Sequence, residues 1–436
     1  MRRHNLAFLA VILAPAIFFA AQARMQRPAA AAEIPPARPI NTELADRDVQ
    51  IAVWKKALAA DSESAIALGQ LAGLYMQRGR ESGDESNYAT AAEYAQRSVN
   101  LRSNRNGAAF VTLASALLAQ HRFVEARVVA RELVANEPDI PQYRAMLGEV
   151  ELELGDYDAA RVNFDSLYAL RTHLSIAPRL ARWLEINGQS DAARKLLNAS
   201  LMEAKGRKDL PREQIAWFHL RVGDIEMRNG RMRGARSAFE DGLKVDPDDY
   251  RLLSAMARLE AVEGHPRKTI EFGERAMSIK LDPATLGTIS DAYSAVGDTA
   301  TAAEYLKTME VAVAGQPGAY HRAWSLFLLD HDLRVDEVLG NVKGELETRR
   351  DVYGYDLLAW ALHKAGNNVD ARRAMAKAMR MNTQDAMLYY HAGVIDDALG
   401  DDVHARENLK RALEIDPFFH PAQPADARRI LASMKA

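Results

Sequence analysis

From residue 42 onward, apolar residues recur at i, i+3, i+4 and i+7, the spacing of a helix with one buried stripe. The stripes come in pairs. In the first of each pair a small residue follows a large apolar one, at Ala114, Gly148, Ala181, Gly223, Ala257, Ser290, Ser325, Ala359 and Gly393, at intervals of 34, 33, 42, 34, 33, 35, 34 and 34. A second series, Ala126, Ala160, Ala193, Ala235, Thr269, Ala302, Val338, Ala371 and Ala405, keeps nearly the same intervals. Between the two series stand Gly155, Gly188, Gly230, Gly264, Gly297, Gly366 and Gly400. The pattern predicts helix hairpins. Small residues let two helix backbones approach, and glycine supplies a left-handed cap between them. Pro138, Pro247 and Pro417 can stop the second helix. One hairpin cannot bury its own apolar face, so neighbours must stack, each touching only the next.

Departures from the period mark insertions and ends. Gly79 and Ala91 stand twelve apart instead of five, which predicts a polar loop over Arg80 to Ser86. Lys205 to Pro211 is a second insertion and explains the interval of 42. The unit from Trp324 to Arg350 has neither a turn glycine nor a closing proline. Residues 42–61 read as an N-terminal capping helix carrying Trp54 and Leu58, and 421–436 as a C-terminal one carrying Ile430 and Leu431. The array itself spans 62–420.

With a 34-residue unit and Gly393, Gly400, Ala405, Leu409, Ala412 and Pro417 in register, the chain resembles the tetratricopeptide repeat family. The resemblance covers about residues 42–419. It implies an all-α fold, a right-handed α-solenoid of about nine to ten helix-turn-helix units with capping helices. It also implies a concave surface, lined by the first helix of each unit, that binds a protein or peptide partner.

Composition narrows the setting. Arg2 and Arg3, the uncharged apolar run Leu6 to Ala20 and Ala21-Gln22-Ala23 read as a signal peptide over 1–23. Residues 24–41, with Pro28, Pro35, Pro36 and Pro39, read as a linker. The expected location is periplasmic or secreted. Membrane contact is expected only through an uncleaved signal or a partner complex. The absence of cysteine suits an oxidising compartment and removes thiolate metal sites and Cys nucleophiles. Lys+Arg 56 against Asp+Glu 59 lacks the basic surplus of a nucleic-acid protein, so no nucleic-acid partner is expected.

No Walker loop, GxGxxG, GxSxG, HExxH or SxxK occurs. His321 and His331 lie at opposite ends of one predicted helix, too far apart for one metal ion. The expectation is a non-enzyme without cofactor or metal. The candidate partner-binding residues are those of the predicted concave face. Arg228, Arg251 and Arg258 lie in the middle of the array, beyond an acidic stretch of Glu149, Glu153 and Glu185. Toward the C-terminus come Tyr353, Asp356, Trp360, His363, Lys364, Tyr390 and Asp397. Trp360 and Tyr390 fit two roles, a binding hot spot or packing between repeats. The expected function is an exported scaffold or adaptor. The alternatives are a structural part of an envelope assembly (pilus, secretion or polysaccharide export) or a secreted small-molecule-binding protein.

Overall fold

The computed structural model describes residues 42–314 and 322–434. By its internal contacts the chain divides into Met1–Ala45 and Asp46–Ala436. Of the first unit only 42–45, the start of a helix, are described. The signal peptide expected at 1–23, the linker expected at 24–41 and His321 lie outside the described residues.

Regular structure among the described residues is entirely helical. Helix α1 (Thr42–Ala60) precedes ten hairpins. They pair α2 (Ala65–Ser82) with α3 (Ser86–Leu101), α4 (Gly107–Ala119) with α5 (Phe123–Asn136), and α6 (Pro141–Leu154) with α7 (Tyr157–Asp165). Then come α8 (Ala177–Ile186) with α9 (Ser190–Gly206), α10 (Arg212–Arg228) with α11 (Met232–Val245), and α12 (Tyr250–Val262) with α13 (Pro266–Met277). The last four pair α14 (Pro283–Ala295) with α15 (Thr299–Ala314), α16 (Arg322–Asp330) with α17 (Val335–Glu345), α18 (Val352–Lys364) with α19 (Asn368–Ala378), and α20 (Ala386–Ala398) with α21 (Asp402–Ile415). Helix α22 (Gln423–Ser433) follows them.

Local chemistry sets these boundaries. Asp249, Asp282, Asp351 and Asp385 each accept a backbone N–H in the first turn of the helix they precede, satisfying a donor that the helix leaves open. Within most hairpins the turn is a glycine at positive φ, among them Gly155 at 75° and Gly366 at 79°. The hairpin of α16 and α17 lacks that glycine, and Asp332 and Arg334 take the left-handed conformation instead. The first hairpin differs from expectation. Helix α2 runs on through Ser82, the cap is Gly83 at φ 71°, and Gly79 is a packing residue beneath the Tyr88 ring. The polar Arg80–Ser86 stretch is therefore mostly helix.

The two series of small residues meet inside the hairpins. The Phe164 ring of α7 lies where a Gly148 side chain would go, the Phe239 ring of α11 covers Gly223, and Leu409 of α21 covers Gly393. Phe164 and Phe239 are fully buried, each stabilising its hairpin by about 1.5–3 kcal/mol.

Neighbour contacts do not complete the structure. The turns of four of the first five hairpins rest on the loop that closes the hairpin five places further on. Gly155 meets the Arg350–Asp351 backbone, Gly188 meets Asn382, Gly230 meets Asp416 and Pro417, and Gly83 meets Lys280. Hydrogen bonds join this seam. Arg350 N donates to Leu154 O at 2.9 Å and Thr383 Oγ1 to Ile186 O at 2.6 Å. Val352 N donates to the Tyr157 hydroxyl at 2.9 Å, and Arg380 to Gly155 O at 2.9 Å. The expectation that each repeat touches only the next fails, because successive hairpins rotate enough to bring the chain back onto itself.

Candidate functional site

The acids and arginines of the predicted concave face are all paired, but only Glu185 and Arg228 with each other. Glu185 on α8 takes Arg228 and, at 3.2 Å, Arg221 from α10, with Arg182 at 4.0 Å. Burial alone would raise the Glu185 pKa, but Arg228, Arg221 and Arg182 outweigh it and hold the carboxyl below its ordinary range. Arg258 reaches Asp224 at 3.2 Å, and Glu149 holds Arg179 at 2.6 Å. Arg251 belongs elsewhere. It binds Asp249 at 2.5 Å and Glu213 at 2.7 Å, and Glu213 takes Gln77 across the seam at 3.2 Å.

The aromatic group forms a second cluster on the C-terminal repeats. Arg182 lies over the Tyr353 ring at 5.3 Å, and the Tyr353 hydroxyl donates to Asp385 at 3.3 Å. Burial pushes the Tyr353 phenol up to about 12 and raises the Asp385 carboxyl. Trp360 is only 4% exposed, stacked between His391 at 4.2 Å and His363 at 5.1 Å. Its indole N–H donates to Asp330 at 3.0 Å, and Lys364 lies over its ring at 5.0 Å. Asp356 bonds His391 at 2.8 Å, and the Tyr390 hydroxyl donates to Asp426 at 3.0 Å. Burial pushes the His363 imidazole pKa down.

Tyr353, Asp356, Trp360, His363, Lys364 and Tyr390 are thus gathered, and Arg228 and Arg258 connect to them through Glu185, Asp224 and Arg182. Arg251 and the exposed Asp397 stand apart. Asp356, Trp360 and Tyr390 are buried, as packing residues are. Asp330, which also accepts from Gln423 at 3.2 Å, and His391 were not among the sequence candidates. Both act through residues on other helices, and their own spacing gives no signal.

Open space lies on the outer side instead. Between α3 and α5 runs a groove of about 470 Å³ with Ala92, Leu113, Leu117 and Val129 on its floor. Glu93, Gln96, Gln120, Arg122 and Glu125 line its rim. Val128 borders it and is 63% exposed. A smaller groove of about 260 Å³ repeats the arrangement between α19 and α21, with Met375, Met379 and Ile395 as floor. Glu260, Glu263 and His265 approach closely enough to share a cation. Arg236, however, bonds both carboxylates at 2.6 Å and supplies the positive charge there. No helix among the described residues is long and apolar enough to cross a membrane.

Residues 111–171 match the family model described as Tetratricopeptide repeat. The matched segment is thus a tetratricopeptide repeat, and the same two-helix unit recurs along the array. No curated protein matches it. Among solved structures it is similar to human IFIT1, a dimer with PPP-AAAA, at 14% identity over 85% of this chain and 87% of that one, with a TM-score of 0.45. It is similar to Pseudomonas aeruginosa pilF at 15% identity over 51% and 97%, TM-score 0.38. The Cut9–Hcn1 hetero-tetramer of the APC/C is similar at 13% identity over 89% and 94%, TM-score 0.34.

Proposed function

We propose that this chain is a non-catalytic scaffold, exported to the periplasm or secreted, that binds a segment of a protein partner. The observation that carries the reading is the groove between α3 and α5, with its apolar floor and polar rim. That combination suits one apolar face of a helix or extended peptide, with polar rim groups fixing its direction. The inner wall suits this role less, because its charges and rings already satisfy one another. Export rests on the N-terminal apolar run and the lack of cysteine.

A photo-crosslinking amino acid placed at Val128, and separately at Lys364, tests the location in intact cells. The expected result is a discrete partner adduct from Val128 that disappears when Leu117→Arg blocks the groove floor. An adduct from Lys364 alone would return the site to the inner wall. N-terminal sequencing of the exported protein tests cleavage after Ala23.

A further inference from the structure

Among the described residues, many turns and loops of the kind that form the seam are not used in it. Gly155 and Gly188 leave no room for a Cβ against the loops they meet. Gly264, Gly297, Gly366 and Gly400 are the corresponding turns of later hairpins, with φ between 73° and 86°, and a Cβ there would meet nothing within 4 Å among the described residues. The loops of the early repeats are the converse. Those at 102–106 and 207–211 have the place in their repeats that the seam-forming loops have later, and Arg102, Arg105, Arg207 and Lys208 stand exposed there.

The chemistry of the two edges also matches. In the seam, loops supply cations and turns supply acceptors. Lys280 pairs with Glu85 at 2.9 Å, Arg349 with Glu153, and Arg380 donates to Gly155 O. Two of the free turns carry the exposed acids Asp298 and Asp402, and the free loops carry Arg102, Arg105, Lys208 and Arg207, the last paired with Asp209 of its own loop. The chain ends fit as well. Among the described residues helix α1 has the place of a second helix in the repeat, and α22 that of a first. On α1 the face opposite Ile51 and Trp54 holds Val49 and Val53, 64% and 61% exposed. That is an apolar surface of the kind a packed helix covers.

We propose that the seam continues between molecules, a second copy of this chain docking head to tail. The α22 of one copy and the α1 of the next complete one hairpin. Keeping the five-hairpin offset, this places the second copy's 102–106 loop on the first copy's Gly297–Asp298 turn. Its 207–211 loop then falls on the Gly400–Asp402 turn. The contact is heterologous, so a pair of copies keeps one free edge of each kind.

Sedimentation of the full chain over a wide concentration range tests this with two edge variants. A turn-blocked variant carries Gly297→Asn and Gly400→Asn, since asparagine tolerates the left-handed conformation. A loop-blocked variant carries Arg102→Glu and Arg207→Glu. The parent should associate with concentration, and each variant at least about tenfold more weakly. An equimolar mixture of the two should form a dimer and nothing larger, because only one usable edge of each kind remains. Val53→Lys, which leaves turns and loops intact, should weaken association as well. A parent that stays monomeric throughout, variants that associate like the parent, or a mixture that forms no dimer overturns the proposal.

Discussion

Arg349 and Glu153, 196 positions apart in the sequence, form an ion pair that fastens the end of α6 to the loop before α18. The Arg349 guanidinium also donates to the Glu153 carbonyl at 3.1 Å, meets Asp351 at 2.9 Å and lies over the Phe123 ring at 4.5 Å. Replacing it by alanine should cost about 1–3 kcal/mol. The loss should reach beyond its own repeat. Amide exchange should accelerate around Gly155 as well as around Asp351, whereas a strictly nearest-neighbour array would confine the change to the C-terminal repeats.

Two glycines separate backbone strain from seam contact. Gly366→Ala places a Cβ at positive φ in open space and should cost about 1–2 kcal/mol. Gly155→Ala has the same local penalty and in addition drives its Cβ into the Arg350 backbone. It should cost at least about 2 kcal/mol more than Gly366→Ala. Urea unfolding of the two variants side by side measures the difference. Equal losses would mean that the seam is a loose contact.

Trp360→Ala should destabilise by roughly 3–5 kcal/mol, since the ring is enclosed by two imidazoles and its N–H holds Asp330. Trp360→Phe should cost less, keeping the stack and losing the hydrogen bond. Thermal unfolding decides the matter. A change within about 0.5 kcal/mol would be the behaviour of an exposed residue and would restore Trp360 as a binding candidate.

Stability should also depend on pH through His331. Its hydrogen bond to Asp291 at 2.9 Å raises the imidazole pKa from 6.5 to about 9 against the cost of burial, with the Phe327 carbonyl assisting. A raised imidazole pKa means that the folded state holds the proton more tightly. The contribution is therefore complete below about pH 6.5 and is lost as pH rises through about 9. Unfolding midpoints measured from pH 6 to 10 should fall less steeply in His331→Asn than in the parent.

The hairpins were legible in the sequence because their determinants are local. Gly148 and Phe164 sit sixteen residues apart in one unit, so a 34-residue period records their contact directly. The same period revealed the turns at Gly155 and Gly366 and gave them one identity. Only the tertiary structure divided them, packing the first against Arg350 and leaving the second open. Likewise Glu185 and Arg228 read as separate acidic and basic stretches until the fold joined them. Trp360 read as either surface or packing, with packing favoured, since helical spacing gives a face but not what covers it. The sequence by itself determined the repeat, its caps and its small-to-large packing. Closure of the seam and burial of the inner wall came from the small rotation between hairpins, a quantity that accumulates over five repeats and leaves no mark within any one of them.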